Sequence, residues 1–482
     1  MTSSSAVAAT AVVGAIYAAV AYLFHQRAPQ AYMDEIFHLP QTQQYCQGHW
    51  DAWDPKITTF PGLYVMGVGF ANVVNFLQTF QMSVKVPFCS LTVLRSLNLL
   101  FALGNVYLIL LLRQMKEYSP QERTNAIVHG LMIAFFPINV FFGFMYYTDA
   151  ASLFFVLLMH LLSRQSQQQR LRHGSCTLKY LASVLCGYIA VAVRQTNILW
   201  VLFDLGTAIV YDLELTHEKQ LYACPSGAES GPSFGIVLLK FTTFAIKDAV
   251  HLVKLFWPSI STVVVFAVFL VVNGAITVGD TANHVAGFHF AQLLYFMALA
   301  AMGFGLVCVY PVRLAAFCRD LSAAVTSGVR PLVVSLALLG GLVVAIERFS
   351  VTHPFLLADN RHYTFYLWQR FFLKHPLCKF SLLPVYMYAG WCLLKELRKS
   401  TTALWLAVFG LATALALVPS PLVEPRYYLV PFTLLHLHTP KQPVVPLLLT
   451  AATFVLVNAA TIYVFLYRPF EWVDGSTARF MW

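Results

Sequence analysis

Charge is what this 482-residue chain most lacks: Asp, Glu, Lys and Arg make up 11% of it, against about 25% in an ordinary soluble protein. Too few ionisable side chains remain to coat a water-facing surface, so a set of soluble globular domains is excluded. Acids are scarcer than bases, 21 against 31, for a formal net charge of +10. No block of Lys and Arg is interleaved with aromatics, however, and the basic balance is not read as a nucleic-acid surface. The nine cysteines (46, 89, 176, 186, 224, 308, 318, 378 and 392) contain no C-x-x-C pair; they read as mostly buried apolar residues, without a redox motif or a metal site. Nor is there an internal repeat of the kind many transporters carry.

What is present is apolar sequence, 59% of the chain, and it falls in runs long enough for lipid. The first run, 6–24, holds nineteen residues without a charge and has no small-residue cleavage pattern behind it, so it is read as a retained span rather than a signal peptide. Further runs lie at 91–112, 126–145, 150–162, 180–193, 198–211, 255–272, 293–312, 332–346, 381–394, 403–417, 427–438 and 444–467. The expectation is an all-α polytopic membrane protein of about thirteen helices, within eleven to fifteen. All 482 residues form one membrane-embedded domain, with a first external loop at 25–90, a cytoplasmic connector at 212–254 and a second external loop at 348–380.

The apolar segment 61–80 decides the parity of every later loop. If it is re-entrant or interfacial, alternate loops collect most of the basic residues, among them Arg113, Lys116, Arg164, Lys179, Lys240, Lys254, Arg313, Lys395 and Lys441. The positive-inside rule then puts those loops and the N-terminus in the cytoplasm. The stretches 25–60, 145–150, 194–197, 273–292, 349–379 and 418–426 emerge on the other face, and ionisable and His-rich residues gather there.

Candidate chemistry follows from that gathering. YMDEIFH at 32–38 carries adjacent carboxylates, Asp34 and Glu35, and a helical turn brings His38 to the same face as Asp34. A carboxylate at a membrane surface can act as a general base, although an acidic pair also suits a helix start. Trp50 and Trp53 in WDAWDP have the composition of interfacial anchors. Asp149 in YYTDAAS and Arg194 in RQTNILW stand at span boundaries, where a charge must be paired or wetted. Asp280, His284 and His289 lie in the 273–289 stretch, where H-x4-H without a third ligand is a poor zinc motif. HPFLLADNRHYTFYLWQR supplies Asp359, Asn360, Arg361, His362, Tyr363, Tyr366 and Arg370, and EPRYY supplies Arg426. Guanidinium groups with imidazoles at a membrane surface suit a phosphate, through paired charge-assisted hydrogen bonds.

These motifs taken in order, YMDEIFHLPQTQQYC, WDPKITTFPGLY, FPINVFFGFMYYTD, RQTNILW, NGAITVGD, HPFLLADNRHYTFY and EPRYY, resemble the dolichyl-phosphate-glucose-dependent alpha-1,2-glucosyltransferases of asparagine-linked glycosylation. The likeness runs from about residue 17 to 470, with the cytoplasmic connectors as its variable parts. It implies a GT-C glycosyltransferase fold in the endoplasmic reticulum membrane, with a lumenal site whose first loop carries short interfacial helices. It also implies dolichyl-phosphate-glucose as donor and a dolichyl-diphosphate oligosaccharide bearing two glucoses as acceptor, with no nucleic acid partner. No metal or other cofactor is expected.

A beta-linked donor and an alpha-linked product imply inversion by one in-line displacement. Asp34 is then the expected base, with Glu35 next. Arg361, His362, Arg370, Arg426 and Arg194 are the donor-phosphate candidates. His38, Trp50, Trp53, Asp149, Asp280, His284, Asp359, Asn360 and Tyr363 are the candidates for sugar and acceptor. A mannosyltransferase using another dolichyl-phosphate sugar is the alternative enzyme, and a transporter or channel-regulatory protein the non-enzymatic one; the latter predicts charges deep in spans, of which Asp204 is the main instance.

Overall fold

A computed structural model describes residues 4–80, 85–116, 120–173, 178–223, 232–280, 286–350, 352–420, 422–472 and 474–482. Among them the chain is helical almost throughout, as lipid requires of a backbone that must satisfy its own polar groups. The first external loop follows α1 (Ser4–Arg27) and carries α2 (Glu35–Cys46) and α3 (Gly62–Gln78). Then come α4 (Leu91–Gln114), α5 (Pro120–Ala134), α6 (Pro137–Phe142), α7 (Thr148–His173), α8 (Leu178–Val193), α9 (Ile198–Leu221), α10 (Phe234–Lys247), α11 (Ala249–Asn273), α12 (Ala291–Met302), α13 (Pro311–Thr326) and α14 (Val329–Arg348). The 348–380 loop holds the short α15 (Pro354–Ala358), α16 (Tyr363–Leu367) and α17 (Cys378–Ser381). It is followed by α18 (Leu383–Leu397), α19 (Ala403–Leu417), α20 (Leu429–His438), α21 (Val444–Tyr467) and a small hairpin of β1 (Phe470–Glu471) and β2 (Thr477–Ala478).

Among the described residues five helices, α1, α4, α11, α14 and α21, are long and apolar enough to cross a membrane alone. Several expected spans differ for identifiable reasons. The 126–145 run does not make one helix: Pro137 lacks an N–H and cannot continue α5, so the chain restarts as α6 and leaves 143–147 irregular. The 293–312 run breaks likewise, at Gly303, the left-handed Gly305 (φ 52°) and Pro311. Polar sequence does not end the helices at once: α7 runs on through the Gln- and Arg-rich 163–173 and α9 through Glu214, Glu218 and Lys219, because such residues extend a helix as readily as apolar ones do, while the apolar 234–247 stretch of the 212–254 connector forms α10.

The helices sort the polar contacts to two ends. At one end Asp34 N donates to Tyr147 Oη, Arg194 meets Asp149, Gln195 meets the Thr58 carbonyl, and the Tyr32 hydroxyl meets the backbone of Arg479. At the other, Arg113 donates to the carbonyls of Leu437 and Thr439, Ser400 to that of His438, and Arg313 pairs with Glu396. Both termini of α3 stay at the first end. Gly62 packs on the backbone of Ala192, while Gln78 bonds Val86, three residues before Cys89. Cys89 is joined to Cys46 in a disulfide, an exception to the reading of the cysteines as mostly buried apolar residues. Cys186, Cys308 and Cys392 are buried thiols, Cys318 and Cys378 are more exposed, and Cys176 and Cys224 lie outside the described residues.

One buried ion pair ties the first loop to the bundle. Arg95, in the first turns of α4, donates Nε–H to Glu35 Oε1 at 2.7 Å and Nη2–H to Oε2 at 2.5 Å, and its remaining N–H groups reach the carbonyls of Ala28 and Gln30. Glu35 also accepts from the backbone of Tyr32 and Tyr146. Asn98, one turn along α4, donates to the carbonyls of Met145 and Tyr147 and holds the other side of the same junction. Glu35 is completely buried and its oxygens are taken, so the role of second catalytic carboxylate expected for it does not fit its surroundings.

Two changes test this junction. Removing one partner of a buried pair costs about 3–5 kcal/mol, so Glu35→Gln is expected to lower the thermal unfolding midpoint in detergent sharply. A Cβ on Gly62 would stand 2.4 Å from the Ala192 carbonyl oxygen, a backbone atom that cannot swing aside. Gly62→Ala is therefore expected to cost about 1–3 kcal/mol as overpacking, and an unchanged midpoint would contradict that close approach.

Candidate active site

The turn before α2 sends two neighbouring carboxylates in opposite directions. Met33 sits at φ 56°, in the left-handed region that a non-glycine residue adopts at a cost of about 1–3 kcal/mol. With the chain bent there, Glu35 enters the protein against Arg95. Asp34 faces a cavity of about 370 Å³ walled by Tyr147, Glu424, Arg426, His362, Trp472 and Trp482, among others. The Asp34 side chain is 35% exposed.

Arg426 is the centre of the charge network. It leaves the chain in the 425–428 turn between α19 and α20, donates Nη1–H to Asp34 Oδ2 at 2.7 Å, pairs with Glu424, and stands 3.9 Å from Asp149 Oδ2. The other oxygen of Asp149 takes Arg194 Nη1–H at 2.6 Å, and Arg194 lies 5.3 Å over the Tyr427 ring. Asp149, at the start of α7, is 2% exposed and lies between the two guanidinium groups. Burial pushes the Asp34 carboxyl up, but Arg426, His38 and His362 outweigh it and hold it below the ordinary carboxylate range. Burial lowers the His38 imidazole more than Asp34 raises it, and its Nδ1 is 2.8 Å from the Tyr64 hydroxyl.

The expected residues do not all converge. Asp34, Asp359, His362 and Arg426 line the cavity, and Asp149 and Arg194 stand behind it. Arg361 is at its edge, held bidentately by Asp359 and stacked 4.1 Å over Trp472. Asn360 accepts from Trp472 Nε1, and the Tyr363 ring meets that of Trp482 edge-on. Arg370 lies away from the cavity, exposed and over the ring of Tyr366. Trp50 is exposed and rests on Tyr45; Trp53 packs on Tyr64. Asp280 is half-buried outside the cavity lining, and His284 lies outside the described residues. Every arginine expected to meet phosphate, Arg370 excepted, is thus already paired with a carboxylate of this chain.

Three parts of the site escaped the sequence reading. Arg95 and Asn98 orient the carboxylate pair, and an arginine within LTVLRSLNLL was the available signal, since a charge in a span demands a partner. Glu424, inside EPRYY, shares Arg426. The segment after α21 forms a whole wall: Met481 bridges to the backbone of Arg361 and Tyr363, the Trp482 carbonyl meets His362 Nδ1, and Arg479 pins the segment to the carbonyls of Phe465 and Arg27. Its only sequence trace was the aromatic content of WVDGSTARFMW beyond the last span. Among the described residues no group of three or more His, Cys, Asp or Glu side chains is arranged to hold a metal ion.

No solved structure matches the chain. Curated relatives match it nearly end to end. The chain is 35% identical to a Rattus norvegicus protein over 95% of its own length and 94% of the relative's, and 34% identical to a Homo sapiens protein over the same shares. An Arabidopsis thaliana protein is 34% identical over 94% of this chain and 95% of its own. All three are named Dol-P-Glc:Glc(2)Man(9)GlcNAc(2)-PP-Dol alpha-1,2-glucosyltransferase. The model of the DIE2/ALG10 family matches residues 28–437, a range that takes in Asp34, Glu35, Arg95, Asp149, Arg194 and Arg426, and the chain belongs to that family.

Proposed function

We propose that this chain transfers glucose from dolichyl-phosphate-glucose to the terminal glucose 2-hydroxyl of a dolichyl-diphosphate glycan that already carries two glucoses. The product is alpha-1,2-linked and the anomeric centre is inverted. The observation that carries the reading is the Asp34–Arg426 pair, 2.7 Å apart on the wall of one cavity, in a chain matched end to end by relatives bearing that enzyme name.

In the proposed step the acceptor oxygen attacks glucose C1 as the bond from C1 to the phosphate oxygen breaks. The electron pair leaves with dolichyl phosphate, and the hydroxyl proton passes to the Asp34 carboxylate. The leaving group is already a stable anion, so it needs positive charge around it rather than a proton, and no metal is invoked. Arg426 supplies that charge by exchanging its contact with Asp34 for the phosphate; Arg194, held by Asp149, adds to the field. Without its counter-ion, Asp34 becomes the stronger base at the moment one is needed. His362 is the remaining phosphate contact. Arg361 positions the 348–380 loop, Glu35 orients Asp34, and the tryptophans at 472 and 482 form the face against which a sugar ring stacks.

The wider setting is a GT-C enzyme of the endoplasmic reticulum with about thirteen spans, a cytoplasmic N-terminus and a lumenal site. Three features support it: the basic loops opposite the site, α3 beginning and ending at the site's end, and the Cys46–Cys89 disulfide, a bond favoured in an oxidising lumen. The main deep acid expected to favour a transporter, Asp204, is paired with His160 at 2.8 Å.

With purified protein, synthetic donor and two-glucose acceptor, Asp34→Asn is expected to lower kcat by about 10²–10⁴-fold in a protein that still folds; near-normal turnover would remove Asp34 as the base. The pH profile carries a second sign. Because the folded carboxyl is held low, it stays ionised until pH falls below the ordinary carboxylate range, and the stability it contributes is lost only there. In Arg426→Gln burial is no longer opposed by Arg426, so the acid limb of kcat/KM is expected to move to higher pH. An unmoved limb would show that Arg426 does not set the charge state of Asp34.

A further inference from the structure

At the end opposite Asp34 lies a second cavity of about 370 Å³, lined by Lys116, His160, Arg164, Gln167, Tyr211 and His438 among others. Its wall is built from the residues just beyond α4, the middle of α7, α9, the turn before α19 and the last residue of α20. Gln168 and Ser400 complete a set of two cations, two imidazoles, two amides, a phenol and a hydroxyl, with no carboxylate among them. Asp204 stands behind the wall, bonded to His160 Nδ1 at 2.8 Å. Arg164 makes no hydrogen bond or ion pair with another described residue, and the charge of Asp204 reaches it only from behind the wall. This is the reverse of the first cavity, where Arg426, Arg361 and Arg194 each hold an acid of the same chain.

We propose that this second cavity binds a phosphate group. Guanidinium and ammonium neutralise its charge, while amide, phenol and hydroxyl donors reach its oxygens, with no carboxylate among the described lining residues. The level of the cavity fits such a ligand. Lys116 lies two residues past the end of α4, where an apolar span gives way to polar sequence, and α7 continues past Arg164 to His173. That is the depth of lipid headgroups, where basic pockets between helices take anionic phosphates. The same chemistry serves a phospholipid headgroup of the facing leaflet or a soluble phosphate.

The test uses the full chain purified in neutral detergent as wild type, Arg164→Gln, Lys116→Gln and, as a control, Lys254→Gln, an exposed lysine outside the cavity. Native mass spectrometry after incubation with phosphatidylinositol or phosphatidylcholine reads the lipid arm, and equilibrium dialysis of labelled orthophosphate in lipid-free micelles reads the soluble arm. Wild type and Lys254→Gln are expected to hold one phosphate-bearing ligand per chain in at least one arm. Loss of one or two charge-assisted bonds weakens binding about tenfold or more in each cavity variant. Retained phosphatidylinositol that orthophosphate does not displace identifies a headgroup site; orthophosphate binding alone identifies a soluble ligand. No binding in either arm, or equal binding by all four proteins, overturns the proposal. Unchanged thermal midpoints separate lost binding from lost folding.

Discussion

The buried contact between Glu35 and Arg95 is the constraint on which the site depends. A carboxylate with no exposure at all is tolerable only if its charge and lone pairs are met, and two Arg95 bonds with two backbone amides meet them. That arrangement fixes where α2 starts against α4 and against the irregular 143–147 segment. Since residue 35 points inward, residue 34 points to the cavity, and the left-handed Met33 makes the turn between them. Asp34 owes its position to its neighbour more than to contacts of its own.

A second principle is that the site neutralises itself. Arg426 meets Asp34 and Glu424, Arg194 meets Asp149, and Arg361 meets Asp359. Within a membrane protein an unpaired arginine is expensive, and a cavity proposed to receive a phosphate carries its own counter-ions. Donor binding in the proposed scheme is an exchange of anions about Arg426, and the exchange frees the base. The opposite cavity differs in having no carboxylate among its described lining residues, and there the proposed phosphate comes from outside the chain.

Much of this was legible in the sequence and some of it was not. The helical membrane character followed from the scarcity of charge, and the DE, YYTD, RQTN and EPRYY motifs named most of the network because ionisable residues are rare enough here to be informative. What failed was the assumption that an apolar run is a helix from end to end: Pro137 and Gly305 break two of them, and the first break creates the segment that holds Asp34. Arg361 and Arg370 stood close together in sequence and were given one role, yet one is held by Asp359 and stacked over Trp472 while the other is exposed over Tyr366. Pairing across long separations was out of reach of local reading. The contact of Arg426 with Asp34 spans 392 residues, that of Tyr32 with Arg479 spans 447, and Cys46 finds Cys89 across the whole of α3, 43 residues away.

The exchange of anions at Arg426 is tested most directly by a structure of the purified chain with dolichyl-phosphate-glucose bound. The donor phosphate is expected on the guanidinium of Arg426, with Asp34 released from it and facing the space beside glucose C1, while Glu35 keeps both contacts to Arg95. A phosphate bound elsewhere, with Asp34 and Arg426 still joined, would contradict it.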